Sequence, residues 1–355
     1  YSGWYLNGLG SNWSNVAAEE LERYGYIQNV NHHTDFYRRN VGSSDNRVFV
    51  IISDALRYEV AASLAEQFRR ETRSKVELDS MCGIFPTITP YGMAALLPHK
   101  ELTVQAKPNG GLAVLADAQS TESTNRDKVL KAANPSSVAL QYRNIIGLKC
   151  ADRQALIKGM DVVYIYHDKI DEASHTSDSF VFPACDEAID EIKNLVRIIV
   201  NEFSGTRILI TVDHGFLYTY SPLTEDDKVS KDSWKGKEVD YGRRYAIMEK
   251  DAQPEYLMPV QFLEGKTDYA AFAPRENVRI NMRHISYMPL WHTLLNKNMR
   301  KEDLRIAAGL TTNMIANMGK NKGISMETLA KICDALQCEI TDVIELTEGT
   351  PEDGE

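Results

Sequence analysis

Four short segments of this 355-residue chain carry side chains that bind metals or attack electrophiles. They are Asp54; Thr87 and Thr89 within a Pro-Thr-Ile-Thr-Pro turn; Asp171 followed by His175; and Asp213-His214-Gly215. Aspartates and imidazoles suit Zn²⁺ or Mn²⁺, and two such ions can clamp the attacking and leaving oxygens of a phosphoryl transfer. A threonine hydroxyl on a metal loses its proton more easily and becomes a nucleophile toward phosphorus. Thr87 and Thr89 both qualify. At the start of a helix such a threonine also finds backbone N–H groups facing the phosphate oxygens.

The elements that must position these groups are legible as apolar runs. Residues 47–54 (RVFVIISD) and 207–215 (RILITVDHG) have the length and β-branched content of strands buried on both faces of a parallel sheet. Residues 160–167 (MDVVYIYH) form a third such run. Parallel sheets gather their working groups just past the carboxyl ends of strands, so Asp54, Asp213 and His214 are expected in one crevice. Apolar positions at Leu56, Val60, Leu64 and Phe68 predict a helix over 55–70, and residues 184–202 predict a longer one. A turn at 86–92 opens a predicted helix over 93–97, and residues 112–116 and 268–273 are predicted strands. Strand, ligand and helix thus follow in the βα order of a doubly wound, mainly parallel α/β fold. Taken singly, each motif also has an ordinary reading: Asp54 as the cap of the next helix, the threonines as turn residues. Four in this order on a βα background point together to a metal centre. His32, His33, His99 and His167 read as structural or exposed.

Composition sets the bounds. With 43% hydrophobic and 25% charged residues the chain is ordinary for a globular protein. A net charge of -10 argues against charge-driven nucleic-acid binding by the whole chain. No apolar stretch reaches the length of a membrane span, no signal-peptide pattern is present, and the five cysteines form no CxxC pair. A cytoplasmic protein without a membrane partner is expected, and a start at Tyr1 is read as a truncation.

Residues 1–45 are read as a leading helical segment, 46–283 as the α/β domain, 284–347 as a small all-α domain and 348–355 as an acidic tail. Five short helices are predicted in the all-α part, over 287–296, 301–308, 311–318, 326–336 and 340–346, with Ser325 and Thr341 as caps. The stretch 301–319 reads as helix, short turn at Gly309, helix: a helix-turn-helix arrangement. Between Lys297 and Lys322 six basic residues stand against two acids, the sign needed for phosphate contact.

The phrases ISDALRYEVA, FPTITPYGMAALLPH, YHDKID and TVDHGFLYT resemble the PglZ domain of bacterial phage-defence (BREX) systems, within the alkaline phosphatase and nucleotide pyrophosphatase superfamily. The resemblance spans residues 1–280, including the YAAFAPRENVRI stretch. It implies one metal site of Asp54, Thr89, Asp213 and His214, a second using Asp171 and His175, and Thr89 as nucleophile with Thr87 as runner-up. It implies one or two divalent ions, Zn first and Mn or Mg as alternatives, a phosphate ester or nucleic-acid substrate, and other defence-system proteins as partners. The superfamily's second site takes a further histidine from a downstream His-Gly pair; none follows His214 here, so the α/β domain is expected to be truncated at its C-terminal end. Only His284 and His292 come later.

Residues 285–346 resemble the Cro- and lambda-repressor-like DNA-binding domain. That implies a core of Leu304, Ala307, Ala308, Leu310, Ile315 and Met318. It also implies a DNA face of Thr311, Thr312, Asn313 and Asn317 with Arg300, Lys301 and Lys320. Two functions remain open at this level. One is a metal-dependent phosphoesterase carrying a DNA-binding domain; the other is a non-catalytic DNA-binding regulator or defence-complex subunit.

Overall fold

The computed structural model describes residues 4–5, 7–24, 26–44, 46–108, 110–174, 181–218, 228–229, 234–263, 267–276, 278–280, 283–319 and 323–348. The chain divides after Ile280 into two compact units.

The first unit is built on a four-stranded parallel sheet in the order Ser137–Gln141, Val162–His167, Val48–Ser53, Arg207–Thr211. Val48–Ser53 and Val162–His167 are buried at every position, which is why they read as continuous apolar runs rather than as alternating ones. Their side chains nonetheless alternate between two cores. Val48, Val50, Ile52, Tyr164 and Tyr166 face one layer with Tyr91 and Met93–Leu97. Phe49, Ile51, Val163 and Ile165 face the other, against Ile192, Leu195 and Ile199 of the Val181–Phe203 helix and Leu64 of the Tyr58–Glu71 helix. Helical layers on both faces make this a doubly wound α/β fold.

Register sets the level of the functional groups. Ser53 pairs with His167 and Ile52 with Thr211, so Asp54, Asp168 and the Val212–Asp213 turn leave the sheet at one height. Asp54 does not cap the next helix. That helix begins at Tyr58 behind Arg57, and Ala55 takes a left-handed φ of 61° between them. The Thr89 helix runs Thr89–Ala95, four residues earlier than the spacing predicts, because Pro90 at its first turn suits a helix start.

The region 221–283, which reads as isolated strand-like pieces, contributes a four-stranded antiparallel sheet in the order Leu257–Val260, Tyr269–Pro274, Tyr245–Glu249, Glu238–Gly242. Its pairing partners are separated by loops, and periodicity within a window cannot see them. The leading helix Asn7–Tyr24 buries Ala18 against Met258 and Ala273 of this sheet.

The second unit holds helices Met288–Asn296, Lys301–Ala307, Thr312–Met318 and Met326–Leu336. The predicted fifth helix over 340–346 is instead a single 3-10 turn, Ile340–Asp342, followed by a strand, Glu345–Glu348, paired antiparallel with Arg283–Ser286. Tertiary pairing overrides the weak helical spacing there. Leu304, Ala308, Leu310 and Met318 are buried as expected and Ile315 packs against them, whereas Ala307 faces solvent. Ala307 immediately precedes the buried Ala308, and one step along a helix turns the side chain through about 100°.

Candidate metal centre

Asp54, Asp213 and His214 meet at the carboxyl end of the sheet, with exposures of 7%, 1% and 6%. The Asp54 backbone N–H donates to the His167 carbonyl oxygen at 2.8 Å, and the Ala55 N–H donates to Asp213 Oδ1 at 3.4 Å. The left-handed turn at Ala55 is what aims that N–H across to the neighbouring strand. His214 Nδ1–H donates to the Gly215 carbonyl oxygen at 3.0 Å, which leaves the Nε2 lone pair facing the cluster. Around Nε2 lie Thr89 Oγ1 at 2.9 Å, Asp54 Oδ1 at 3.3 Å and Asp213 Oδ2 at 3.5 Å.

Asp171, from the Lys169–Ser174 helix after the Val162–His167 strand, joins them. One ligand atom each of Asp54, Asp171 and His214 lie within 4.8 Å of one another. Asp171 therefore shares a cluster with Asp54 and His214. His175 lies outside the described residues. Thr87 is exposed and its methyl group is directed toward Gly83, so of the two threonines only Thr89 presents its hydroxyl to His214.

The electrostatics are those of a site built for positive charge. Burial, then the Asp213 and Asp171 carboxylates, push the Asp54 carboxyl up to about 9. Burial also raises Asp213, against the opposing pull of His214 and of backbone N–H groups. Asp54 Oδ1 and Asp213 Oδ2 are both buried and accept no hydrogen bond. Buried carboxylate oxygens without donors are stable only when protonated or when a cation lies against them. Carboxylate oxygens, an imidazole lone pair and a hydroxyl together match a divalent ion of the Zn²⁺, Mn²⁺ or Mg²⁺ type. The residues present fit such an ion.

Two further residues belong to this neighbourhood. His33, read above as structural or exposed, is 4% exposed, and its Nδ1 has no partner. Burial and the neighbouring His214 and His32 lower its pKa to about 4. Its short helical turn, His33–Asp35, lies ahead of the first strand, so no spacing to the other motifs betrays it. His167 is structural, as expected: it bridges Ser53 Oγ at 2.9 Å and Glu191 Oε2 at 2.9 Å beneath the sheet end, bracing the strand that carries Asp54.

In the second unit, Thr311 caps the Thr312–Met318 helix, its hydroxyl accepting from the Met314 N–H at 3.2 Å. Thr312 and Asn313 are exposed at that helix start, and Asn317 is half-buried one turn on. Arg300 and Lys301 are exposed, with the Lys301 ammonium 4.1 Å from the Trp291 ring centroid. Lys320 lies outside the described residues. His284 and His292 both belong to this unit, in the Arg283–Ser286 strand and the Met288–Asn296 helix.

Comparison with known proteins matches this architecture. Residues 36–283 match the model of the BREX system PglZ alkaline phosphatase-like domain, and residues 289–349 match the Cro/C1-type HTH DNA-binding domain. The alkaline phosphatase-like protein BrxZ of Escherichia coli O9:H4 (strain HS) is 41% identical over 239 residues, which is 65% of this chain and 27% of that protein. The alkaline phosphatase-like protein PglZ of Bacillus cereus (strain H3081.97) is 35% identical over 237 residues, again 65% of this chain and 27% of that protein. The chain thus spans about a quarter of the length of these relatives. Murine ectonucleotide pyrophosphatase / phosphodiesterase 5 superposes with a TM-score of 0.43 at 12% identity, covering 66% of this chain and 80% of that one. The chain belongs to the family of BREX system PglZ alkaline phosphatase-like domains, and continues into a Cro/C1-type helix-turn-helix DNA-binding domain.

Proposed function

We propose that the α/β unit is a divalent-metal-dependent phosphoesterase in which Thr89 attacks phosphorus, and that the helix-turn-helix unit holds this activity on DNA. The observation that carries the reading is the 2.9 Å approach of Thr89 Oγ1 to His214 Nε2, beside two buried carboxylate oxygens that accept no hydrogen bond. Asp54, Asp213 and His214, with Asp171 alongside, would hold the ion, Zn²⁺ first and Mn²⁺ or Mg²⁺ as alternatives. When bound, the ion supplies Lewis acidity at the phosphoryl oxygens and at the Thr89 hydroxyl.

The chain's own residues do the rest. Thr89 gives up its hydroxyl proton and its oxygen forms a bond to phosphorus, while the ester alcohol leaves in line on the opposite side. Water then hydrolyses the phosphothreonine and restores the hydroxyl. Burial of Asp54, Asp213 and His214 keeps bulk water from competing with these contacts. Thr311, Thr312, Asn313 and Asn317 would meet base edges or phosphates, with Arg300, Lys301 and Lys320 against the backbone. Action on a phosphate ester or nucleic acid, in the cytoplasm and in company with other defence proteins, is the setting this reading implies. Among the described residues no helix is long and apolar enough to cross a membrane.

The deciding experiment measures metal content and turnover of a nitrophenyl phosphate monoester and a bis-nitrophenyl phosphodiester by the full chain, beside Thr89→Ala and Asp213→Ala. Turnover of one ester that needs metal and Thr89 is expected. Equal rates in all three proteins, with or without metal, sink the enzymatic reading. Salt-sensitive DNA binding surviving that result would assign the chain to non-catalytic DNA binding.

A further inference from the structure

The helix Met326–Leu336 in the second unit ends on a left-handed residue, Gln337, with φ 50° and ψ 57°. The Cys338 N–H donates to the Cys333 carbonyl oxygen at 3.1 Å, and the Gln337 N–H donates to the Asp334 carbonyl oxygen at 3.3 Å. One bond nests inside the other, the arrangement that turns a helix end back on itself. It brings the side chain just past the left-handed residue onto one in the last turn, a contact that proteins commonly fill with two apolar groups. Here both positions are cysteines, and their thiols lie within hydrogen-bonding reach of one another. Both thiols are free and half-buried against the core of this unit, so small solutes reach them. Cys82, Cys150 and Cys185 all belong to the first unit.

Reduced, the pair packs as two small apolar side chains. Unlike an aliphatic pair, it can be joined. The hydrogen bond between residues 338 and 333 holds their Cα atoms near the ~4–7 Å that a disulfide spans, so closure needs side-chain rotation rather than a new backbone path. Burial raises both thiols, which makes neither one unusually reactive. The hydrogen bond from Cys338 favours ionised Cys333, so Cys333 is the attacking sulfur. The advantage of the pair is proximity: once Cys333 carries a leaving group, Cys338 already lies beside it.

We propose that Cys333 and Cys338 are a reversible thiol modification site, closing to an intramolecular disulfide by exchange with a low-molecular-weight disulfide such as glutathione disulfide. The Cys333 thiolate attacks one sulfur of the oxidant, which leaves a mixed disulfide and releases one glutathione thiolate. Cys338 then gives up its proton, bonds to Cys333 Sγ and expels the second glutathione. The protein loses two hydrogens and two electrons, and one glutathione disulfide becomes two glutathione thiols. The closed form ties the end of the Met326–Leu336 helix to the chain entering the Ile340–Asp342 turn. That turn is itself held to the Met288–Asn296 helix, where the Thr293 hydroxyl donates to the Asp342 carbonyl oxygen at 2.9 Å. The site stands apart from the metal centre and does not depend on the phosphoesterase reading.

The test equilibrates the full chain in buffers of reduced and oxidised glutathione, folded and in concentrated urea, and then quenches with acid and blocks free thiols with N-ethylmaleimide. Trypsin cleaves after Lys331 and frees a segment starting at Ile332 that holds Cys333, Cys338 and no other cysteine. Its mass distinguishes the dithiol, the glutathione adducts and the closed disulfide. The closed form, two hydrogens lighter than the dithiol and without adduct, is expected at a closed-to-open ratio about tenfold or more higher in folded protein than in urea. A phosphine reductant is expected to restore both blockable thiols. Cys338→Ala is expected to carry a single glutathione or maleimide on Cys333 and no closed form. A ratio in folded protein equal to or below that in urea, glutathione persisting on both sulfurs, or disulfide-linked pairs of chains through these residues overturns the proposal. The comparison of folded and urea-treated wild type needs no variant, so it decides even if Cys338→Ala fails to fold.

Discussion

Gly92 lies so close to Asp213 that a β-carbon built on it would meet the Asp213 carbonyl oxygen at 2.3 Å and the carbonyl carbon at 2.7 Å. The helix carrying Thr89 is therefore pressed directly against the backbone of the turn that carries Asp213 and His214. Only a residue without a side chain allows the approach that puts Thr89 Oγ1 on His214.

Gly92→Ala must push the helix and the turn apart. The expected cost is about 1–3 kcal/mol of stability, read as a lower melting temperature, together with loss of metal affinity. An alanine variant that melts and loads metal like the wild type would contradict the close approach.

The two threonines separate by substitution. Thr89→Ser keeps the hydroxyl and is expected to retain turnover, whereas Thr89→Val keeps the shape and is expected to lose about a thousandfold or more. Thr87→Ala, at an exposed position whose methyl faces Gly83, is expected to turn over nitrophenyl esters at the wild-type rate. The reverse pattern would transfer the nucleophile to Thr87.

Metal-free protein should lose stability as pH rises. The Asp54 carboxyl titrates near 9 when folded and near 3.8 when unfolded, so between those values the folded chain holds a proton that the unfolded chain has released. Its contribution is complete below about pH 4 and is lost progressively as pH climbs through about 9. Thermal melts in chelator are expected to fall across this window, and Asp54→Asn to flatten the trend. Metal binding is expected to release protons and to stabilise the chain more at the alkaline end. A melting temperature of the metal-free wild type that rises through this range would refute the buried carboxylate pair.

In the DNA-binding unit, Thr311→Ala removes the hydroxyl that accepts from the Met314 N–H. The expected loss is about 1 kcal/mol, seen in the melting of this unit, and Thr311→Ser is expected to restore it. Asn313→Ala, which caps nothing, is expected to leave melting unchanged and to weaken a salt-dependent gel shift of the full chain. Unchanged DNA binding in Asn313→Ala would remove it from the interface.

By itself the sequence determined the strand ending in Asp54, because an apolar run buried on both faces has a composition that no neighbour alters; the run ahead of Asp213 reads the same way and does form a strand, but at the sheet edge and only half-buried. It also determined the four helices of the helix-turn-helix unit, whose periodicity and caps are local. Tertiary structure decided what lies between elements. The antiparallel sheet of the 221–283 region and the strand at Glu345–Glu348 depend on partners remote in the chain, and pairing outweighs local propensity there. The choice of Thr89 over Thr87 as the hydroxyl on His214 came from a glycine that admits the Asp213 backbone. His33 belongs to no motif. Only burial reveals it, because a polar group without a partner is unremarkable on a line of sequence and costly inside a folded core.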